Sequence, residues 1–275
     1  MKNIAIVISM SLLVLAACKE KVAEVHTDDK TNVIVEKEAV QEIDRTSDSG
    51  FQTKEINNVK KVSNVQVVGS LHDVMAGNFA ATISLKELAN TPHLYALGAL
   101  EHLAGEIQIF DGEPMITKRS EEMMSIDRSY NTSAALLVYA SVAEWEEITV
   151  PPMVKSQGQF EIFLQQQADK AGIDTTKPFP FLLVGGVAKL NWHVVNGKEL
   201  STVSTKQSHM KTGLNGVITH AYVDILGFYD NSNAGNFVHK GSKTHMHFRA
   251  QHADVAAHVD SMFLGQDLTL KLPKQ

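Results

Sequence analysis

The chain has 275 residues, of which 44% are hydrophobic, and carries 25 Lys and Arg against 31 Asp and Glu, a formal net charge of −6. This composition supports one large or two small domains and excludes a disordered or fibrous protein, while the absence of a basic run gives no expectation of a nucleic-acid partner. A single cysteine excludes an internal disulfide framework, a Cys-rich zinc site and an iron–sulfur cluster, so any metal must be bound by carboxylates or by the 12 histidines.

The first 18 residues have the pattern of a secretory signal. An apolar run from Ile4 to Val14 follows Lys2, and Leu-Ala-Ala-Cys ends at Cys18, the only cysteine. These four residues resemble a bacterial lipobox, which implies a lipid-modified Cys18 that anchors the chain to a membrane. An Asp directly after the modified cysteine retains lipoproteins in the inner membrane, but this chain has Lys19 at that position. We therefore expect the protein to be anchored in the outer membrane, facing the periplasm or the surface. An ordinary signal peptide with a chance cysteine is the alternative.

Residues 19–64 are predicted to form a disordered tether, because this polar segment has little sustained apolar periodicity. The first elements after it are a strand from Val65 and a short helix that begins at Ser84, with Glu87 three residues later as in a capping box. Asp111-Gly112 is predicted to be the turn of a hairpin between Glu106–Phe110 and Glu113–Thr117.

The second half of the chain is predicted to be mainly β. It follows a buried strand at 134–142 and the clearest helix, Ser156–Ala171, whose apolar residues recur on one face. The later predicted strands are Phe181–Val184, Lys189–Val195, Glu199–Ser204, Thr219–Tyr229, Thr244–Ala250, His258–Leu264 and Leu268–Leu272. We expect an α+β fold in which a mixed N-terminal half, 65–178, packs on a mainly antiparallel half, 179–275, that carries a metal site.

The candidate metal ligands are three histidines. His245 and His247 alternate along a strand and therefore point to the same face, and an antiparallel return would place His258 beside them. Three imidazoles are typical of a catalytic zinc site with an open position, although two surface histidines beside an unrelated third would give the same pattern. Other histidines, including His193 and His239, lack ligand spacing and are predicted to have ordinary surface or core roles.

Three motifs in order resemble the acetolactate decarboxylase family over residues 67 to 263. They are Gly105-Glu106 followed by an apolar strand and Asp111-Gly112, then His245-Met246-His247-Phe248, and then Ala256-Ala257-His258-Val259. The resemblance implies zinc-dependent conversion of 2-acetolactate, a small anionic keto acid, to acetoin and carbon dioxide, and members are commonly homodimers. It also implies that Glu106 is the active-site glutamate, which would polarise water or relay a proton.

The chain departs from the family where an arginine would hold the substrate carboxylate. Lys206 lies near that position, and Arg249 is a possible substitute because it should share the face of His247. Two alternatives therefore stay open beside the decarboxylase. One is a non-catalytic lipoprotein that binds zinc or a small ligand, and the other is a zinc hydrolase with Glu106 as the base.

Overall fold

The computed structural model describes residues 64–120, 123–197, 213–232 and 235–275, which fall within one compact unit, Glu55–Gln275. The signal segment with Cys18, tether residues 19–63, the strand Glu199–Ser204 and Lys206 lie outside the described residues, and those predictions stay predictions. No helix within the described ranges has the length and apolar character needed to cross a membrane.

Two antiparallel sheets make up most of the described chain, with few helices, and the predicted α+β class is confirmed. The first sheet has the order β1-β7-β3-β4-β5-β6, and β2 pairs with β7. Its strands are β1 (Gln66–Val68), β2 (Ile83–Ser84), β3 (Leu94–Leu100), β4 (Gly105–Phe110), β5 (Glu113–Ser120), β6 (Met123–Asp127) and β7 (Ser133–Ser141).

The second sheet begins before residue 178, since its strand β8 precedes the main helix. The strands are β8 (Trp145–Thr149), β9 (Phe179–Val194), β10 (Leu214–Tyr229), β11 (Thr244–Ala250), β12 (Ala256–Leu264) and β13 (Thr269–Pro273). The helices are α1 (Leu71–Met75) and α2 (Gln157–Lys170), with 3₁₀ turns at Leu85–Leu88 and Glu101–Leu103.

The hairpin between β4 and β5 forms at the predicted turn. Asp111 and Gly112 have φ angles of 51° and 80°, and two consecutive positive values suit the twist of a two-residue hairpin. The turn sets the register in which Glu106 lies opposite Thr117. Glu106 therefore takes a fixed position on β4.

Helix α2 starts where the capping residues predict. Ser156 Oγ accepts a hydrogen bond from the Gln159 amide, and the Gln159 side chain accepts one from the Ser156 amide, so two exposed donors of the first turn are satisfied. Phe160 and Leu164 on its inner face are fully buried against the second sheet. Each such side chain contributes about 1.5–3 kcal/mol through burial.

Strand β9 runs without interruption through Gly185 and Gly186, whereas the sequence predicted two shorter strands there. The glycines serve close packing instead of ending the strand. A Cβ atom at Gly185 would overlap the carbonyl oxygen of Asp267, and the Gly186 amide donates to the carbonyl of Gln266 at 3.0 Å. Without side chains at these positions, the connection between β12 and β13 can lie directly on β9.

Strands β9 to β12 close into a ring. Strand β10 pairs with β9 along one edge and with β11 along the other, and β12 joins β11 back to β9. The first sheet packs against this ring through a shared apolar cluster that includes Leu97, Leu136, Leu226 and Phe228. The candidate site lies where β4 of the first sheet faces β9, β11 and β12.

Candidate metal centre

The alternation of strand β11 separates its histidines from its apolar residues. Met246 and Phe248 are buried in the core cluster that α2 covers. His245 and His247 occupy the alternate positions, and their Nε2 atoms are 3.2 Å apart. The strand thus presents two imidazole nitrogens toward one point.

His258 joins this pair because β12 returns antiparallel to β11 in a register that places His258 opposite His247. The His258 Nδ1 atom is 3.4 Å from His247 Nε2, and one ligand atom from each of the three histidines lies within 4.8 Å of the others. A tetrahedral zinc ion, bound at about 2.0–2.1 Å, would space its nitrogen ligands about 3.3 Å apart. The donor chemistry and the spacing therefore fit zinc.

Burial keeps two of these histidines neutral. Loss of hydration lowers the pKa values of His247 and His258 well below 6.5, and nearby histidines add to the effect. His247 is fully buried. Neutral imidazole is the form that binds metal, so both residues are ready ligands at neutral pH.

Glu106 approaches the histidines from the facing strand β4. Its side chain is only 5% exposed, its Oε1 atom accepts a hydrogen bond from the Val195 amide at 3.0 Å, and its Oε2 atom is 3.8 Å from His247 Nε2. Burial raises the pKa of Glu106 to about 7, and the proximity of His193 limits the rise. A carboxyl group with this pKa exists in both protonation states near neutral pH.

Gln108 follows two residues after Glu106 and shares its face of β4. Its Nε2 atom donates to the Met115 carbonyl at 2.7 Å and to Thr117 Oγ1 at 2.8 Å, and its Oε1 atom is 3.0 Å from His247 Nδ1. The residue is fully buried. This contact was not predicted from the sequence, in which only the place of Gln108 two residues after Glu106 in the strand alternation could have indicated it.

A cavity of about 60 Å³ lies beside the cluster. That volume has room for more than one water molecule and so suits a small ligand. Its lining residues are Leu71, Val74, Gly98, Ala99, Leu103, Glu106, Leu136, His193, Val195, Phe237, His239, His245 and His258. Neither lysine nor arginine occurs in this described lining.

Arg249 shares the face of His247, as the alternation predicts, but it is not among the residues that line this cavity. Its Nε atom donates to Asp224 Oδ2 at 2.8 Å, and its guanidinium carbon is 4.4 Å from the ring centroid of Phe110. Asp224 lies directly opposite on β10 and attracts the charge. The two side chains are direct cross-strand neighbours on one face, so the guanidinium group pairs with this carboxylate.

His193 lies at the site although its spacing in the sequence did not indicate it. It pairs with His258 across β9 and β12, the two ring centroids are 4.7 Å apart, and its Nδ1 atom is 2.9 Å from Asp260 Oδ1. His193, His258 and Asp260 form a second group able to hold a metal. Only the register between two strands that are far apart in sequence reveals this neighbour.

Comparisons with known proteins identify the family of this chain. A profile described as alpha-acetolactate decarboxylase matches residues 65–274. No curated protein matches significantly.

Several solved structures are similar in fold, and two of them illustrate the likeness. One is a Staphylococcus aureus protein of unknown function described as similar to alpha-acetolactate decarboxylase, with a TM-score of 0.59 and 12% identity over 78% of this chain and 86% of that one. The other is alpha-acetolactate decarboxylase from Bacillus subtilis strain 168, with a TM-score of 0.58 and 17% identity over 78% of this chain and 86% of that one. Since the family profile covers most of the sequence and these structures share its fold, the chain belongs to the alpha-acetolactate decarboxylase family.

Proposed function

We propose that the chain is a zinc-dependent decarboxylase that converts 2-acetolactate, or a similar 2-hydroxy-3-oxo acid, to acetoin or its analogue and carbon dioxide. The observation that carries the proposal is the convergence of three imidazoles beside a small cavity that Glu106 also lines. Family membership supports the carboxy-lyase class.

The ion would be held by His245 Nε2, His247 Nε2 and His258 Nδ1, which are the nitrogens that converge. When bound, zinc supplies a Lewis acid that stabilises negative charge developing on the substrate oxygens as carbon dioxide leaves. The neutral state of His247 and His258 keeps their lone pairs available for this role.

Glu106 is proposed to supply the proton that replaces the departing carbon dioxide. The electron pair left by the broken carbon–carbon bond must end in a carbon–hydrogen bond, so a proton has to reach that carbon. The Val195 amide holds Glu106 Oε1, which leaves Oε2 on the side of His247. With a pKa raised to about 7, the carboxyl group can deliver a proton directly or through water at neutral pH.

Recognition of the substrate carboxylate is assigned to Lys206, which lies outside the described residues. Arg249 is not proposed for this role, because Asp224 holds its guanidinium group away from the cavity. The cavity lining in the described part of the chain contains neither lysine nor arginine. This lining favours the non-catalytic zinc- or small-ligand-binding lipoprotein as the second candidate function.

The proposed location follows from the sequence of the leader. Lipid modification of Cys18 would anchor the chain in the outer membrane, with residues 19–64 as the tether that holds the globular part away from the bilayer. Metabolic labelling with a fatty acid would detect the modification. A Cys18→Ala chain that is still labelled and membrane-bound would refute the anchor.

The experiment that tests the activity measures acetoin formation from racemic 2-acetolactate by the purified, zinc-loaded protein. His247→Ala should abolish it, whereas His252→Ala should leave it unchanged, because His252 is an exposed histidine just after β11. A folded, zinc-loaded wild-type protein that produces no acetoin would refute 2-acetolactate as the substrate, and one that also releases no carbon dioxide from related 2-hydroxy-3-oxo acids would refute the decarboxylase and favour the binding protein.

A further inference from the structure

The orientation of the Gln108 amide is determined by its neighbours. Its Nε2 atom meets the Met115 carbonyl oxygen, which can only accept a hydrogen bond, and Thr117 Oγ1. The Thr117 hydroxyl gives its single hydrogen to the Ala256 carbonyl at 2.7 Å, so toward Gln108 it too can only accept. Both hydrogens of the amide nitrogen are therefore used.

The remaining amide atom determines what His247 must do. Gln108 Oε1 has no hydrogen to give, and it lies 3.0 Å from His247 Nδ1. His247 Nδ1 therefore carries the hydrogen and donates it. In the neutral ring the lone pair is then on Nε2, the atom that lies 3.2 Å from His245 Nε2 and 3.4 Å from His258 Nδ1.

We infer that Gln108 is a positioning residue that locks His247 in the Nδ1-protonated tautomer and so directs its Nε2 lone pair at the metal. The inference rests on the proposed function, since it requires a metal at the three histidines. Partners of this kind set the tautomer and ring orientation of a ligating histidine, and their loss typically weakens metal binding by about 10–100-fold.

The same hydrogen bonds connect both histidine strands to the first sheet. Gln108 on β4 contacts His247 on β11, and Thr117 on β5 contacts Ala256, two residues before His258 on β12. The side chains of Gln108, Thr117 and His247 are fully buried. A polar group that loses its hydrogen-bond partner there has no access to water that could take the partner's place, so the loss is destabilising. Packing of the two sheets and orientation of the metal ligand are thus linked through one amide.

Three variants separate the orienting role from general packing. Gln108→Leu is close in size but cannot accept the hydrogen bond, Gln108→Glu keeps an acceptor for His247 Nδ1, and Gln166→Leu on the exposed face of α2 is the control. Zinc affinity is measured by competition with a chromophoric chelator. We expect a loss of about 10–100-fold for Gln108→Leu and no change for the control. Gln108→Glu should bind zinc more tightly than Gln108→Leu but less tightly than wild type, because its carboxyl group can accept from His247 yet has at most one hydrogen for the Met115 carbonyl and Thr117 Oγ1.

A second measurement does not depend on any Gln108 variant folding. In metal-free wild-type protein, two-bond ¹H–¹⁵N NMR, assigned by the signals lost in His247→Asn, should show His247 protonated at Nδ1 and unprotonated at Nε2. The opposite tautomer, or zinc binding in Gln108→Leu within twofold of wild type, would overturn the inference. Wild-type protein that binds no zinc would refute the proposed function instead, and the NMR result would still decide the tautomer.

Discussion

His193 and Asp260 form a hydrogen bond between adjacent strands, with 2.9 Å between Nδ1 and Oδ1, and their side chains are only 8% and 6% exposed. The register of β12 against β9 shifts between Val259 and Ser261, which leaves Asp260 as the extra residue of a β-bulge. Bulges redirect side chains, and here the carboxylate fixes the His193 ring in the cavity wall, beside His258.

Removing that carboxylate should destabilise the fold. Asp260→Ala leaves a buried imidazole nitrogen without its acceptor, which should lower the free energy of unfolding by about 1–3 kcal/mol. Urea denaturation measures the change. Asp254→Ala is the matched control, because Asp254 is 74% exposed and its ion pair with Arg128 should contribute less than about 1 kcal/mol. Equal losses in the two variants would contradict the buried pair.

Zinc should stabilise the wild-type protein and not the ligand variants. At free zinc one hundred times the dissociation constant, binding to the native state alone raises the free energy of unfolding by about 2.7 kcal/mol. We expect this increase, measured by thermal denaturation with and without chelator, to disappear in His247→Ala and His258→Ala. An undiminished increase in either variant would place the metal elsewhere.

Glu106→Gln should separate proton handling from metal binding. The amide can still accept the Val195 hydrogen bond but cannot exchange a proton, so acetoin formation should fall by about 10²–10⁴-fold while zinc content stays constant. Glu113→Gln serves as the control, because that side chain on the same hairpin is 79% exposed. Full activity in Glu106→Gln would exclude the proposed role.

The metal-free protein should lose stability as the pH falls below about 6.5. His247 and His258 resist protonation when folded, so in this range the unfolded chain binds more protons at these sites. Glu106 acts in the opposite sense, because its folded pKa of about 7 exceeds its ordinary value of 4.5, and the two histidines outweigh it.

Variants isolate these contributions. For each additional proton that the unfolded state binds relative to the folded state, the free energy of unfolding changes by about 1.4 kcal/mol per pH unit. Denaturation between pH 6.5 and 5 should give a shallower slope for His258→Asn and a steeper one for Glu106→Gln. The same slope in the wild type, His258→Asn and Glu106→Gln would show that His258 and Glu106 do not titrate as their burial implies.

Arg249→Ala should leave KM for an anionic substrate within about twofold of wild type, since Asp224 already neutralises this arginine outside the cavity. Lys206→Ala should raise KM if Lys206 binds the substrate carboxylate. Steady-state kinetics on both variants compares the two directly. A raised KM for Arg249→Ala would show that the guanidinium group leaves Asp224 during turnover.

Local sequence patterns correctly predicted the structural features that depend only on residues close together in the chain. The period of α2, the Asp111-Gly112 turn and the alternation of His245 with His247 depend on a few successive residues, and the structure has each of them. The continuous β9 was missed because glycine has two uses, ending a strand or admitting a close neighbour, and sequence alone does not distinguish them.

Contacts between distant segments could not be predicted in this way. The contacts of His193 with His258, of Asp224 with Arg249 and of Gln108 with His247 depend on strand register and sheet packing. No local sequence pattern encodes either. The sequence therefore indicated the three candidate ligands but not the residues that orient them or the cavity that they face.

The closed ring of β9 to β12 has a consequence for amide hydrogen exchange. Strand β11 is hydrogen-bonded at both edges, so its central amides cannot exchange by fraying of a free edge. The amides of His247 and Phe248, which lie where β11 is paired with both neighbours, should exchange only when the whole domain opens, with or without metal. A scaffold that stays closed in the absence of zinc has its ligand strands already ordered, and zinc binding then has little chain entropy to overcome.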